Sequence, residues 1–373
     1  MTELSRQMYE NATRVQTVAQ ASELLKEYGH FRTLGDILRA CTGSDNPKQL
    51  LVEGILELTP GAVRDSVDRK VRNWLSGRTG TVSKQDAFLL SRVLKLDLEG
   101  TDTFLRQVTG EGIHWRNPED IVWGYGIMHD LPYGQILDLL ERAKAVTASG
   151  KGRKHGDPKH YTADVKAKLQ PTLHRSEEEL LLFLQQQAQT LGTFHNTAYR
   201  LFMQYMELLE SGGQEDRLED NGKMNSRDIL EQYLYRQLVP VSKKNEARAK
   251  DLFSGVQRSI RLNWPDETAI SKMKHRELDV SRKILILLFL ATDGSESEYE
   301  ELDEDEDILT RDEVFQNIYT RLNRMLQACG FQMLDPRGAF DWMVLYCICV
   351  DDLWDVDLRL KEMLLAMFPD VQE

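Results

Sequence analysis

An all-α fold is what this sequence predicts, in two diverged helical modules joined by a long central helical region. Three observations carry that expectation. Apolar residues recur at helical spacing along most of the chain. Glycine and proline are sparse, 24 and 10 in 373 residues. Blocks of the first half return in the second, the mark of an internal duplication. Strand signals are nearly absent, and the strongest (VLYCICV, 344–350) lies inside a helical pattern.

The elements follow in chain order. Residues 1–29 read as a helical lead-in on Val15, Val18, Ala19, Leu25 and Tyr28, with Ser22 interrupting the stripe. Residues 30–148 form the first module, broken at 42–47 and 59–60. A Gly/Lys-rich basic linker covers 149–175 and carries His155 and His160. Residues 176–225 form the central region, one or two long helices. Leu181, Leu184, Ala188, Leu191, His195, Ala198, Phe202, Tyr205 and Leu209 alternate spacings of three and four, the pattern of a packing seam. That seam suits either packing on the chain's own modules or a homodimer through 181–209, with His195 at its rim. The second module spans 226–373 and holds an acidic insert at 293–307.

Hydrophobic residues are 41% and charged residues 29%, which excludes collagen-like, mucin-like and wholly disordered classes. Four cysteines, at 41, 329, 347 and 349, are too few for a disulfide framework and point to a reducing compartment. No signal-peptide stretch opens the chain, and its longest apolar run (ILILLFLA, 284–291) is too short to span a bilayer. A cytoplasmic protein with no membrane partner is expected. The net charge is −13, but the tract 293–307 has ten acids and no base. Residues 63–95 are locally basic, eight Lys/Arg against three acids. The overall acidity therefore leaves room for a cationic face.

The repeat is read from aligned blocks. VRNWLSGRTGTVSKQDAFLL (71–90) falls on AISKMKHRELDVSRKILILL (269–288) at an offset of 198. Gly110 falls on Gly330 at 220, and Asp120 and Tyr125 fall on Asp341 and Tyr346 at 221. The difference is an insertion in the second copy, at the acidic tract. In the first copy a helix over 68–75 ends near Ser76-Gly77-Arg78, and Ser83 caps a second helix that begins at Lys84.

The run Arg72-Asn73-Trp74-Leu75-Ser76-Gly77-Arg78, followed by Leu89-Leu90-Ser91-Arg92-Val93-Leu94, resembles the lambda-repressor/Cro-like helix-turn-helix family around its recognition helix. The second copy carries it as Ser271-Lys272-Met273-Lys274-His275-Arg276 and 284–290, with His275 in place of the family glycine. The resemblance covers about 30 residues per copy. The wider chain is also similar to uncharacterised helical proteins of Gram-positive bacteria, through HWRNPEDIVWGYGI (114–127) and LDPRGAFDWMVLYCI (334–348).

That resemblance implies duplex DNA as partner and a regulator's role. Arg69, Lys70, Arg72 and Asn73 lie on polar faces of the first copy's helix, with Val71 and Leu75 inward. Arg72 or Asn73 suits base edges, and Arg78 and Lys84 suit phosphates. The second copy's equivalents are Ser271, Lys272, Lys274, Arg276 and Arg282. Two such units could imitate a dimer and read two half-sites. The alternative is a protein–protein adaptor or accessory subunit of a larger bacterial multi-gene system, since trihelical units also dock proteins. It would show an exposed aromatic patch near 115–133 or 342–354.

No enzyme, cofactor or metal site is expected. GxSxG, P-loop, GxGxxG and HExxH patterns are missing. The Asp303-x-Asp305-x-Asp307 run fails as a calcium loop, with Ile308 and Val314 where glycine and glutamate belong. It reads as a solvated loop or as a cover for the basic face. Cys347 and Cys349 sit in an apolar segment and read as small buried hydrophobes. Asp351, Asp352, Asp355 and Asp357 read as a solvated face or helix cap. His114, Trp115 and Arg116 read as a small site or as aromatic core.

Overall fold

The computed structural model describes residues 3–28, 31–76, 82–147, 162–211, 224–239, 254–292, 310–350 and 355–369. Among them the fold is all-α, with nineteen α-helices and no sheet. Arg78, the histidines of the linker, the acidic tract and Asp351-Asp352 lie outside the described residues.

Two compact units divide the chain. One holds Arg32–Thr197 with Cys329–Gln332, and so contains the first repeat. Its helices are α3 (Leu34–Thr42), α4 (Pro47–Leu58), α5 (Arg64–Leu75), α6 (Lys84–Val93), α7 (Leu98–Thr109), α8 (Pro118–Met128), α9 (Tyr133–Thr147), α10 (Thr162–Leu169) and α11 (Glu177–Gln186). Their ends obey local chemistry. Thr33 and Asp36 form a reciprocal capping box, while Ser83, Asp97 and Asn117 accept backbone N–H bonds at the starts of α6, α7 and α8. Gly110 ends α7 at φ 86°, a conformation that a side chain would strain. The core gathers Leu34, Leu38, Leu51, Val52 and Ile55 with Val67, Val71 and Trp74 of α5. Phe88 and Trp123 stack within it at 5.0 Å and 4°. Truncating a ring such as Trp74 to alanine costs about 3–5 kcal/mol in cores of this kind.

The other unit joins Met1–Phe31, Ala198–Ala328 and Met333–Glu373. It holds α1 (Glu3–Arg14), α2 (Val18–Glu23), most of α12 (Asn196–Glu210), α13 (Ser226–Gln232), α14 (Gly255–Arg261), α15 (Glu267–Lys274), α16 (Arg282–Ala291), α17 (Arg311–Ala328), α18 (Ala339–Cys347) and α19 (Asp355–Met367). The lead-in is thus no entry to the first module. It packs with the second repeat: Trp342 Nε1 donates to Met8 O at 2.9 Å, Tyr9 meets Phe315 edge-on, and Lys26 donates to Ala366 O at 2.8 Å. The strand-like segment 344–350 is helix through Cys347, buried throughout.

The central region also differs from its expectation. Its seam is two helices separated by residues 187–195, because turns at Ala188–Leu191 interrupt the pattern and Gly192 N bonds Arg116 O. Leu180, Leu184 and Leu191 are buried in the first-repeat unit. Ala198, Phe202, Tyr205 and Leu209 are buried in the second-repeat unit. The buried positions of the seam are thus spent on intramolecular cores, while Leu181 and Ala188 are half-buried. His195 precedes α12 and is buried, where the sequence placed it at a rim.

The repeat is visible in hydrogen bonds. Asp102 Oδ1 accepts Ile113 N at 2.6 Å, and Asn323 Oδ1 accepts Leu334 N at 2.8 Å, each 221 residues on. Asn117 N donates to His114 O and Gly338 N to Asp335 O, both at 2.8 Å. Gly330, like Gly110, has positive φ.

Candidate nucleic-acid interface

The α5 helix forms because Val67, Val71 and Trp74 recur at spacings of four and three, one buried face of a helix. The opposite side is left to charge. Arg69, Arg72, Asn73 and Ser76 stand at i, i+3, i+4 and i+7, a single outward stripe. All four are exposed, and they line an open depression of about 480 Å³. Arg69 makes no ion pair with any described residue. Arg72 uses Nε toward Asp68 Oδ2 at 2.9 Å and remains 61% exposed. Asp68 also takes Lys48 at 2.7 Å, and that bond holds its carboxyl below the ordinary range. Asn73 is exposed beside them. Ser76 was not singled out in the sequence, although the 69, 72, 73, 76 spacing would have found it.

Lys70 is also outward, yet it is occupied. Its Nζ lies 2.6 Å from Asp86 Oδ1 and 5.2 Å from the Trp74 ring centre. It ties α5 to α6. Lys84 is no phosphate ligand in this arrangement: its Nζ lies 2.7 Å from Asp120 Oδ2 and 3.6 Å from Glu111. Asp120 is buried, and burial pushes its carboxyl up while Lys84 opposes that shift. Leu75, expected inward, is only half-buried; Trp74 takes the inward place.

The second copy's residues fare differently. Ser271 and Lys272 are exposed on α15. Lys274 is bound to Glu210 and, at 2.7 Å, to Ser226 Oγ. Arg276 lies 4.4 Å from the centre of the Tyr199 ring, and burial lowers the pKa of its guanidinium. Arg282 grips both Asp341 oxygens at 2.8 Å. These three cations hold the unit together, because each reaches an intramolecular acceptor or ring before it reaches solvent.

The aromatic segments are core. Trp115, Trp123, Tyr125 and Trp342 are buried, Tyr133 is half-buried, and Trp354 lies outside the described residues. No group of three metal-ligating side chains occurs among the described residues, and no described helix is long and apolar enough to cross a membrane. No family model, no curated protein and no solved structure matches the chain.

Proposed function

We propose that the chain binds duplex DNA through the outward stripe of α5 and acts as a non-enzymatic regulator. The observation that carries this reading is the stripe itself: Arg69, Arg72 and Asn73 exposed on one side of a twelve-residue helix whose other side is core, continued by Ser76 at its C-cap. A B-DNA major groove admits one α-helix, and guanidinium and amide groups are the side chains that pair bidentately with guanine and adenine edges. Trp74 and Val71 keep the helix rigidly seated, so these groups are presented without a folding cost. Lys70 and Lys84 are spent internally, so the electrostatic share of binding is modest.

The test is fluorescence anisotropy with a labelled duplex of random sequence, titrated from low to physiological salt. Binding should weaken linearly on a log–log plot, with a slope of about −0.9 for each phosphate neutralised. Absence of binding at about 20 mM salt, where the electrostatic term is strongest, ends the proposal. Retention of a stoichiometric protein instead of DNA would favour the adaptor alternative.

A further inference from the structure

We infer that one chain presents DNA with a single reading helix, α5, and that the equivalent helix of the second repeat, α15, takes no part. This deepens the DNA-binding reading and rests on it. The buried residues set the comparison between the two helices. Val71 and Trp74 point into the first core; Ile270 and Met273 point into the second. Those pairs are 199 residues apart, whereas the caps Ser83 and Ser281 after the turn are 198 apart. The turn following the helix is therefore one residue shorter in the second repeat. A sequence alignment at 198 places every side chain of α15 one position off.

With that register the two outward stripes can be compared position by position. Arg69, Arg72, Asn73 and Ser76 correspond to Thr268, Ser271, Lys272 and His275. All eight residues are exposed, so both stripes face solvent. Their chemistry is unlike. The first has two guanidinium forks and an amide. The second has one ammonium and no fork; an acid stands immediately before each stripe, Asp68 in the first and Glu267 in the second, so the acids do not separate them. An ammonium is a point charge that pairs with a phosphate but cannot match a base edge with the fixed fork of arginine. The other cations near α15 cannot make up the difference. Lys274 is held by Glu210 and Ser226, and Arg276 lies against Tyr199. The two helices hold matching places in the repeat, α5 with twelve residues and α15 with eight, and only α5 carries the guanidinium and amide groups that suit a groove.

The measurement uses the full chain and a duplex selected from a random library by that chain. Arg69→Ala and Arg72→Ala together should weaken binding at least tenfold. Ser271→Ala and Lys272→Ala together should change it less than twofold, and far-UV circular dichroism should be unaltered for both. Removing Arg69 and Arg72 should also flatten the salt slope, and removing Lys272 should not. An equal loss from the second pair would overturn the single-reader inference while leaving DNA binding intact. Failure of the unaltered chain to bind any duplex at low salt would instead remove the reading on which it rests.

Discussion

The imidazole rings of His114 and His195 stack at 4.1 Å between centres, 17° from parallel, and both residues are buried. Both lie in the first-repeat unit, with the Phe331 ring 5.1 Å from His195. Burial drives the pKa of His114 well down, and His195, Lys84 and Arg116 add to that in the same direction. Burial thus favours the neutral form of the His114 ring.

This makes stability depend on pH with a definite sign. The unfolded imidazole titrates near 6.5, while folded His114 accepts its proton only well below that value. Stability is whole above about pH 6.5 and declines as the pH falls beneath it, since the unfolded chain then binds the extra proton. The midpoint of urea unfolding should drop between pH 7.5 and pH 5.5. His114→Phe should flatten the dependence; an equally steep curve in that variant would assign it to other groups.

The pair of Lys84 with Asp120, repeated as Arg282 with Asp341, orders the turn before α8 and α18. Asp120 Oδ2 also accepts His114 N at 2.7 Å, and Asp341 Oδ2 accepts Asp335 N at 2.9 Å. Lys84→Met leaves a buried carboxylate without its cation and should destabilise the protein by about 3 kcal/mol. Adding Asp120→Asn to that variant should recover part of the loss. Chemical denaturation of the two variants and the double variant checks both statements, and it is a structural result independent of DNA.

Gly35 marks a close approach of α3 to the end of α5. A Cβ there would lie 2.4 Å from Leu75 O, a backbone atom that already accepts Arg39 Nη2 at 2.6 Å. Backbone cannot swing aside as a side chain can. Gly35→Ala should cost about 2 kcal/mol, in the range of overpacked cores. If α5 binds duplex DNA as proposed, the same variant should weaken that binding by displacing α5, with Arg69 and Arg72 untouched. Thermal unfolding and anisotropy on one sample give the two values.

The cysteines should be slow toward thiol reagents in the native state. Burial pushes the Cys347 thiol up to about 12 and raises Cys349 and half-buried Cys41 as well. The thiolate is the reacting species, so little is present at pH 7.5. A chromogenic disulfide reagent should titrate all four cysteines quickly in denaturant. In its absence Cys347 should be the slowest. Fast native labelling of Cys347 would show that its surroundings open readily.

Local signals were legible without coordinates. The caps at Ser83 and the breaks near 42–47 and 59–60 lie where short-range hydrogen bonding and glycine or proline decide the backbone. The repeat was legible too, because Asp120 and Asp341 occupy matching interior positions, each paired with a cation. Arg69, Arg72 and Asn73 of the exposed α5 face followed from the sequence; Ser76 did not. What the sequence by itself could not determine depends on contacts between distant residues. Nothing near Met8 says that its carbonyl receives the Trp342 indole, so the N-terminal helices looked like a preface to the nearer module. Lys70, Lys84, Lys274 and Arg282 read as free cations because their acids lie 16 to 64 residues away along the chain. The even spacing through 181–209 is a seam on paper, yet its two halves face two different cores. Periodicity records which residues avoid water; only the packed chain decides what they meet when they do, and which charges are left over for a partner.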